Sequence, residues 1–336
     1  MDHADPRYLE SKRSVDRRAL SRRVREALLA GLPPSPRVLE AGCGTGTTVP
    51  RLLSTGVNGF RYLGVDRDPR AVAFAREVRP KELRYRGYDA TETPRGGRIE
   101  PESGRPDREG GTTFAFETGD ALARLPEQVE GEGEGEDGEG VGEGEERERK
   151  EWEREGRGAD LVVAQAFLDV VPLEPAIEAI EAALAPGGLA YLPITFDGGT
   201  VFEPPHPADD AVERAYHDAI DAEPGRDSNA GRRALALLGN RDGTLLAANA
   251  SDWIVRPLDG GKGTGGRATR ARGYPADEEW FLARILAFVE GAVDPETAGV
   301  SREALEDWLA TRRRQLAAGE LVYVAHQYDL LYRAPG

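Results

Sequence analysis

A doubly wound α/β fold is the architecture this 336-residue chain predicts, and three segments predict it. Val38 to Gly46 read VLEAGCGTG: an apolar lead, an acid, then three glycines at alternate positions. Arg61 to Asp66 form a short apolar run that ends in a second acid. Ala159 to Phe167 are an almost continuous apolar run, the pattern of a central parallel strand buried on both faces.

The first segment reads as strand, tight turn and helix, because Thr47 to Leu53 contains no glycine and suits a helix. Glycine is needed where the backbone turns sharply and where a ligand must approach it without a Cβ in the way. The open N–H groups of the following helix then face that ligand. The spacing is G-x-G-x-G, not the G-x-G-x-x-G that seats a dinucleotide pyrophosphate. Asp66 follows Gly46 by twenty residues. A carboxylate at the end of the second strand is where a doubly wound fold holds ribose hydroxyls; a solvated turn acid is the plainer alternative. Asp68 and Pro69 suit an N-cap and a first helical residue. Phe114 to Ala121 (FAFETGDA) is an alternating strand followed by Asp120, which could equally cap a helix over 121–125.

Gln165 to Asp169 fall just past the fourth strand, at the carboxyl end where open α/β sheets bind ligands. Leu173, Ile177, Ile180 and Leu184 then mark one helical stripe, which stops at Ala185-Pro186-Gly187-Gly188 before a fifth strand, Leu189 to Phe196. In this order, VLEAGCGTG, RYLGVD, FAFETGDA, ADLVVAQAF and LAPGGLAYL resemble the class I S-adenosylmethionine (SAM) dependent methyltransferases from Arg37 to Phe196. The resemblance implies a Rossmann-like, seven-stranded, mostly parallel sheet with helical cap elements, and SAM as cofactor. It implies that Glu40, Gly42, Gly44 and Gly46 form the cofactor turn and that Asp66 holds the ribose. Asp120 would accept from the adenine amino group, the Ala121 N–H would face the ring, and Gln165 would line the same pocket. A sixth strand and an antiparallel seventh are expected, with Ala247 to Arg256 and Leu321 to Tyr332 as candidates.

The N-terminal segment from Arg7 to Ala30 has helical periodicity through Val15, Ala19, Val24 and Leu28, and carries eight bases against three acids. It could be a nucleic-acid-binding arm, a lid over the cofactor or an ordinary surface helix. The family resemblance implies a helix before the glycine turn with a cation for the methionyl carboxylate, and Lys12 or Arg13 suits that role. The expected organisation is therefore a helical lid over residues 1–34 and a methyltransferase domain over 35–336. Within the latter, disordered insertions are expected about 94–111 and 127–158, where Glu, Gly and Arg dominate and no core can form; 260–273 looks like a shorter insertion. Cap helices are expected about 207–240 and 277–318. Caps on this fold set specificity.

Formal net charge is −16, from 60 acids and 44 bases, and only Lys12, Lys81, Lys150 and Lys262 are lysines. An acidic, lysine-poor chain suits a salt-rich cytoplasm, where self-repulsion is screened; this is a halophilic, haloarchaeal-type composition. GC-biased codon usage would explain arginine over lysine but not the acids. One cysteine, Cys43, excludes an internal disulfide and Cys-rich zinc sites. No apolar run reaches eighteen residues and the N-terminus is charged, so neither a membrane span nor a signal peptide is expected.

Methyl transfer from a sulfonium is an in-line displacement in which the protein mainly aligns the reactants and excludes water. A general base, if needed, must reach the acceptor proton. Asp169 and His206 are the candidates; His217 and His326 sit in regular elements. Trp253 and Tyr274 are either substrate-facing or core. No Asn-Pro-Pro-Tyr-like segment follows strand four, which disfavours base methylation of nucleic acid. No acid and histidine cluster at ligand spacing indicates a metal. The expected function is methylation of a small-molecule acceptor in the cytoplasm. The alternatives are a non-catalytic SAM-binding sensor or partner module, an NAD(P)-dependent oxidoreductase, and aminopropyl transfer on a similar fold.

Overall fold

Three short helices open the chain in the computed structural model, which describes residues 4–100, 111–130, 158–258, 273–296 and 299–336. They are α1 (Pro6–Ser11), α2 (Arg13–Ala19) and α3 (Arg22–Gly31). The Asp5 carboxylate caps α1 by accepting from Arg7 N at 2.9 Å, and the Ser21 hydroxyl caps α3 through Val24 N at 3.4 Å, each satisfying a donor that has no partner inside its helix. The periodic segment over 7–30 is thus broken into three, because Leu20 and Ser21 adopt extended backbone at the new cap.

The chain continues through β1 (Arg37–Ala41), α4 (Thr48–Ser54), β2 (Arg61–Asp66), α5 (Pro69–Tyr85), β3 (Ala90–Thr93), β4 (Gly96–Ile99), β5 (Thr112–Thr118), α6 (Ala121–Glu130) and β6 (Ala159–Val163). It ends with α7 (Leu173–Ala183), β7 (Leu184–Glu203), α8 (Asp209–Asp221), α9 (Ala230–Gly239), β8 (Thr244–Ala250), β9 (Trp253–Val255), α10 (Glu278–Ala292), α11 (Arg302–Ala317) and β10 (Val322–Arg333). Together the strands form a ten-stranded sheet of order β3-β4-β5-β2-β1-β6-β7-β10-β8, with β9 also pairing β10. β5, β2, β1, β6 and β7 run parallel; β10 is antiparallel to β7, β8 and β9.

Successive residues of the central strands enter different cores. Val38 and Leu161 pack on the face that carries α3, α5 and α10, whereas Leu39 and Val162 pack on the face that carries α6, α7 and α9. Burial on both faces is why these strands are apolar without alternation. The strand order reverses at β1 and β6, and a crevice opens at the carboxyl ends of the strands there.

Ten strands replace the seven expected. The added hairpin β3–β4 lies where disorder was expected from residue 94 on. Its Gly96 and Gly97 let β4 close against β5: a Cβ at Gly96 would lie 2.2 Å from the Phe114 carbonyl oxygen, so the glycines serve strand pairing here. Likewise α6 runs on to Glu130, past the expected start of the second insertion. Residues 101–110, 131–157 and 259–272 lie outside the described residues. The Ala185-Pro186-Gly187-Gly188 turn is a bulge inside β7, since Leu184 and Leu189 both pair with β6. Among the described residues no helix is long and apolar enough to cross a membrane.

Two ionic clusters strap the N-terminal helices down. Glu278 of α10, fully buried, accepts from the Ser14 hydroxyl at 2.7 Å and from Arg18 at 2.5 and 2.8 Å. Arg79 of α5, also fully buried, donates to Glu10 at 2.8 Å and to Glu82, while Arg13 spans the same two carboxylates at 2.9 and 2.7 Å. A third strap is Asp329 of β10, which accepts from Ser21 N at 2.6 Å and Ile194 N at 3.0 Å. Removing a buried acceptor strands its donors. Glu278→Ala is therefore expected to cost about 1–3 kcal/mol in denaturant unfolding and to raise amide exchange across 13–19. Asp277→Ala, whose partner Arg7 is half exposed, is expected to cost less than about 1 kcal/mol.

Candidate functional site

The turn between β1 and α4 passes through Gly42 (φ +66°), Gly44 (φ +50°) and Gly46 (φ +73°). It is pinned by Gly42 N and Cys43 N, which both donate to the Val65 carbonyl at 2.9 and 3.1 Å. Side chains are excluded for two reasons: left-handed φ is costly for other residues, and the space is filled. A Cβ at Gly42 would lie 2.5 Å from the Phe167 ring, and one at Gly46 would lie 2.4 Å from Phe116.

Asp66 ends β2 directly beside this turn. Its carboxylate accepts from Gly44 N at 2.8 Å and Asp68 N at 2.9 Å, and keeps further lone pairs for a ligand. Burial pushes its pKa up against these two hydrogen bonds. Glu40, buried in β1, accepts from the Thr48 hydroxyl at 2.7 Å and from the Tyr62 hydroxyl. Burial pushes its pKa up to about 7, and the two hydroxyls only partly offset this. Glu40 therefore braces the turn while also lining the cleft beside it.

That cleft has a volume of about 870 Å³. It is lined by the glycine turn, Asp66, Asp120 and Ala121, and also by Tyr8, Tyr216, Phe288, Tyr323 and Gln327. Asp120 is exposed at the rim, where its carboxylate accepts from Leu122 N at 2.9 Å and caps α6. Gln165 donates to Asp16 at 3.1 Å and accepts from Arg51. The Thr45 hydroxyl is buried in the turn without a hydrogen-bond partner. These groups suit SAM in chemistry: a carboxylate with lone pairs left for hydroxyls, a glycine backbone without side chains in the way, and a buried cation. The cation is Lys12, 7% exposed, with Nζ 3.7 Å from Asp16 and 5.4 Å from the Trp253 ring centroid.

Arg13 does not share this place. It points to Glu10 and Glu82 and does not line the cleft, because the α1–α2 junction turns consecutive residues to opposite sides and Glu82 captures the guanidinium. His206 is also elsewhere. Its backbone N and its ring are held by Asp209 (2.6 Å), Asp307 (3.2 Å) and Ala208 N (3.2 Å) at the start of α8, outside the cleft. Asp169 does line it. Its Oδ1 is buried with no hydrogen-bond partner, and burial raises its pKa, partly opposed by its own N–H, Lys12, Arg226 and the Phe196 N–H. His217 meets Thr200 at 3.0 Å and His326 meets Asp252 at 2.7 Å. Tyr274 donates to the Leu321 carbonyl at 2.8 Å, a structural role, whereas Trp253 lines the cleft and donates to Asp16 at 2.9 Å.

Several lining residues carry no sequence signal: Tyr8, Asp16, Tyr216 and Arg226. Gln327 alone had a usable one. The buried phase of β10 runs Tyr323, Ala325, Gln327, Asp329, so two polar residues occupy inward positions of an otherwise apolar strand.

The raised pKa of Glu40 couples stability to pH. A carboxyl that holds its proton more tightly when folded makes the folded state less stable as pH rises from about 4.5 to about 7, with no further loss above. The drop is at most about 3 kcal/mol. Glu40→Gln, which keeps both hydrogen-bonding positions without charge, is expected to flatten this slope in melting curves taken from pH 5 to 8.

A family model described as a methyltransferase domain matches residues 12–198, more than half of the chain. No curated protein matches it. Among solved structures, a Bacillus halodurans protein assigned as a methyltransferase aligns with a TM-score of 0.46 at 9% identity, covering 93% of this chain and 99% of that one. A SAM-dependent methyltransferase of Geobacter sulfurreducens, in complex with S-adenosyl-L-homocysteine, aligns at 0.40 and 15% identity, covering 94% and 91%. A Haloferax volcanii protein assigned as a methyltransferase, in complex with a methyltransferase activator, aligns at 0.41 and 15% identity, covering 100% and 96%. With its glycine turn, the 3-2-1-4-5 order of its parallel strands and this family match, the chain belongs to the SAM-dependent methyltransferases of class I fold.

Proposed function

We propose that this methyltransferase acts on a small molecule held in the cleft beside the glycine turn. The observation that carries the reading is the size of the cleft. Residues of α1, α2, α8 and α10 help to line it, around a volume of about 870 Å³. Small-molecule sites run to roughly 300–1,000 Å³, so the space suits a cofactor with a modest second ligand. A groove for nucleic acid would instead be open and basic. The N-terminal helices are the lid in this reading.

Asp66 would hold the ribose hydroxyls and the turn Gly42–Gly46 the neighbouring chain of the cofactor. Asp120 and the Ala121 N–H would meet the adenine, Gln165 would line the same end, and Lys12 would meet the carboxylate. SAM, when bound, supplies an electrophilic methyl group. The protein's own part is alignment, exclusion of water by the roof and handling of one proton. Asp169 is placed for the last task. It lines the cleft just past the carboxyl end of β6 with a buried, unpartnered Oδ1, and its raised pKa brings it nearer to proton exchange at working pH.

The test is to supply methyl-labelled SAM with a small-metabolite fraction and, separately, with nucleic acid and protein. Label is expected in the small-molecule pool; transfer to macromolecules alone would contradict the reading. With an acceptor in hand, Asp169→Asn is expected to lower kcat by roughly a hundredfold or more at unchanged SAM affinity. The native kcat is expected to fall at acid pH as Asp169 takes up its proton.

A further inference from the structure

Two buried hydrogen-bond acceptors belong to side chains of the cleft wall and have no donor. Gln327 is 2% exposed and its Oε1 has no hydrogen-bond partner; Asp169 Oδ1 is buried and equally unpartnered. Both line the cleft. They are also neighbours. Gln327 stands opposite Phe196 in the β7–β10 register, and the Asp169 carboxylate is engaged by the Phe196 N–H. Paired positions on adjacent antiparallel strands lie about 5 Å apart, which places both acceptor-bearing side chains beside Phe196.

The cations nearby do not answer them. Lys12 lies 3.7 Å from Asp16, and Arg226 lies 2.8 Å from Glu223. A buried acceptor left without a donor is unfavourable, and a ligand that brings donors relieves both sites at once. An alcohol or phenol brings one O–H and a carboxylate brings none, whereas a primary amine brings at least two N–H groups on one atom. Tyr8, Tyr216 and Tyr323 line the same cleft, and their ring faces suit a flat apolar body and a cationic nitrogen.

Resting on the methyltransferase reading above, we propose that the acceptor is a primary amine on an apolar or aromatic body, and that Gln327 is the residue that selects it. In the reaction the amine nitrogen forms the new bond to the methyl carbon with its lone pair. The carbon–sulfur bond breaks towards sulfur, and Asp169 receives the displaced N–H proton.

The test is calorimetric titration of phenethylamine and of phenethyl alcohol into protein saturated with S-adenosylhomocysteine, for the native chain, Gln327→Leu and Gln327→Glu. The native chain is expected to prefer the amine at least tenfold. Gln327→Leu is expected to lose at least tenfold in amine affinity with S-adenosylhomocysteine affinity unchanged, which also reports that it folds; Gln327→Glu is expected to keep amine binding. Equal or tighter binding of the alcohol, amine affinity unchanged in Gln327→Leu, or no amine binding by the loaded native chain would each overturn the proposal. Failure of S-adenosylhomocysteine to bind the native chain would overturn the underlying methyltransferase reading and the proposal with it.

Discussion

A backbone that reverses between β1 and α4 through three residues at positive φ has no room for side chains, and the neighbouring structure is built against that turn. Phe167 and Phe116 fill the space that a Cβ on Gly42 or Gly46 would take. The carbonyl of Val65 and the carboxylate of Asp66 receive its N–H groups, so the end of β2 and the turn hold each other in place. Glu40 supports it from β1 through Thr48 and Tyr62. The carboxylate that would meet a ribose is thus positioned by the same bonds that fix the turn. A rigid shell of this kind is what precise ligand placement requires.

The second constraint is the roof. Short α1 and α2 would not be stable alone; they are held by Glu278, by the Arg79–Glu82–Arg13–Glu10 cluster and by the Trp253–Asp16–Lys12 group. Because Asp16 touches Trp253, Lys12 and Gln165, the N-terminal helices, the sheet and the loop after β6 share one residue. A ligand contact with Lys12 or Gln165 would be felt by α2 through it.

The parallel half of the sheet was legible because burial on both faces writes itself as uninterrupted apolar runs, as in Ala159–Val163, and because the glycine turn has few substitutes. The added hairpin was not, since Gly96 and Gly97 look the same in a loop as under Phe114. Nor could local sequence choose between Lys12 and Arg13: the choice is made by Glu82 on α5, 69 residues beyond Arg13. His206 sits in a Pro-rich loop that looked suited to chemistry, but Asp209 and Asp307 hold it outside the cleft. Gln327 is the reverse case, a polar residue on the inward phase of an apolar strand whose meaning depends on what lies across the sheet. The cleft wall around Gln327 draws on α1, α8, α10, β7 and β10, and no single segment carries its pattern.

The central claim is that the glycine turn and Asp66 together hold SAM. Calorimetric titration of SAM into the native chain and Asp66→Ala tests it most directly. Saturable binding by the native chain that weakens at least tenfold in the variant, about 1.4 kcal/mol, is the predicted result. No binding by the folded native chain, or equal affinity in the two proteins, would contradict the account.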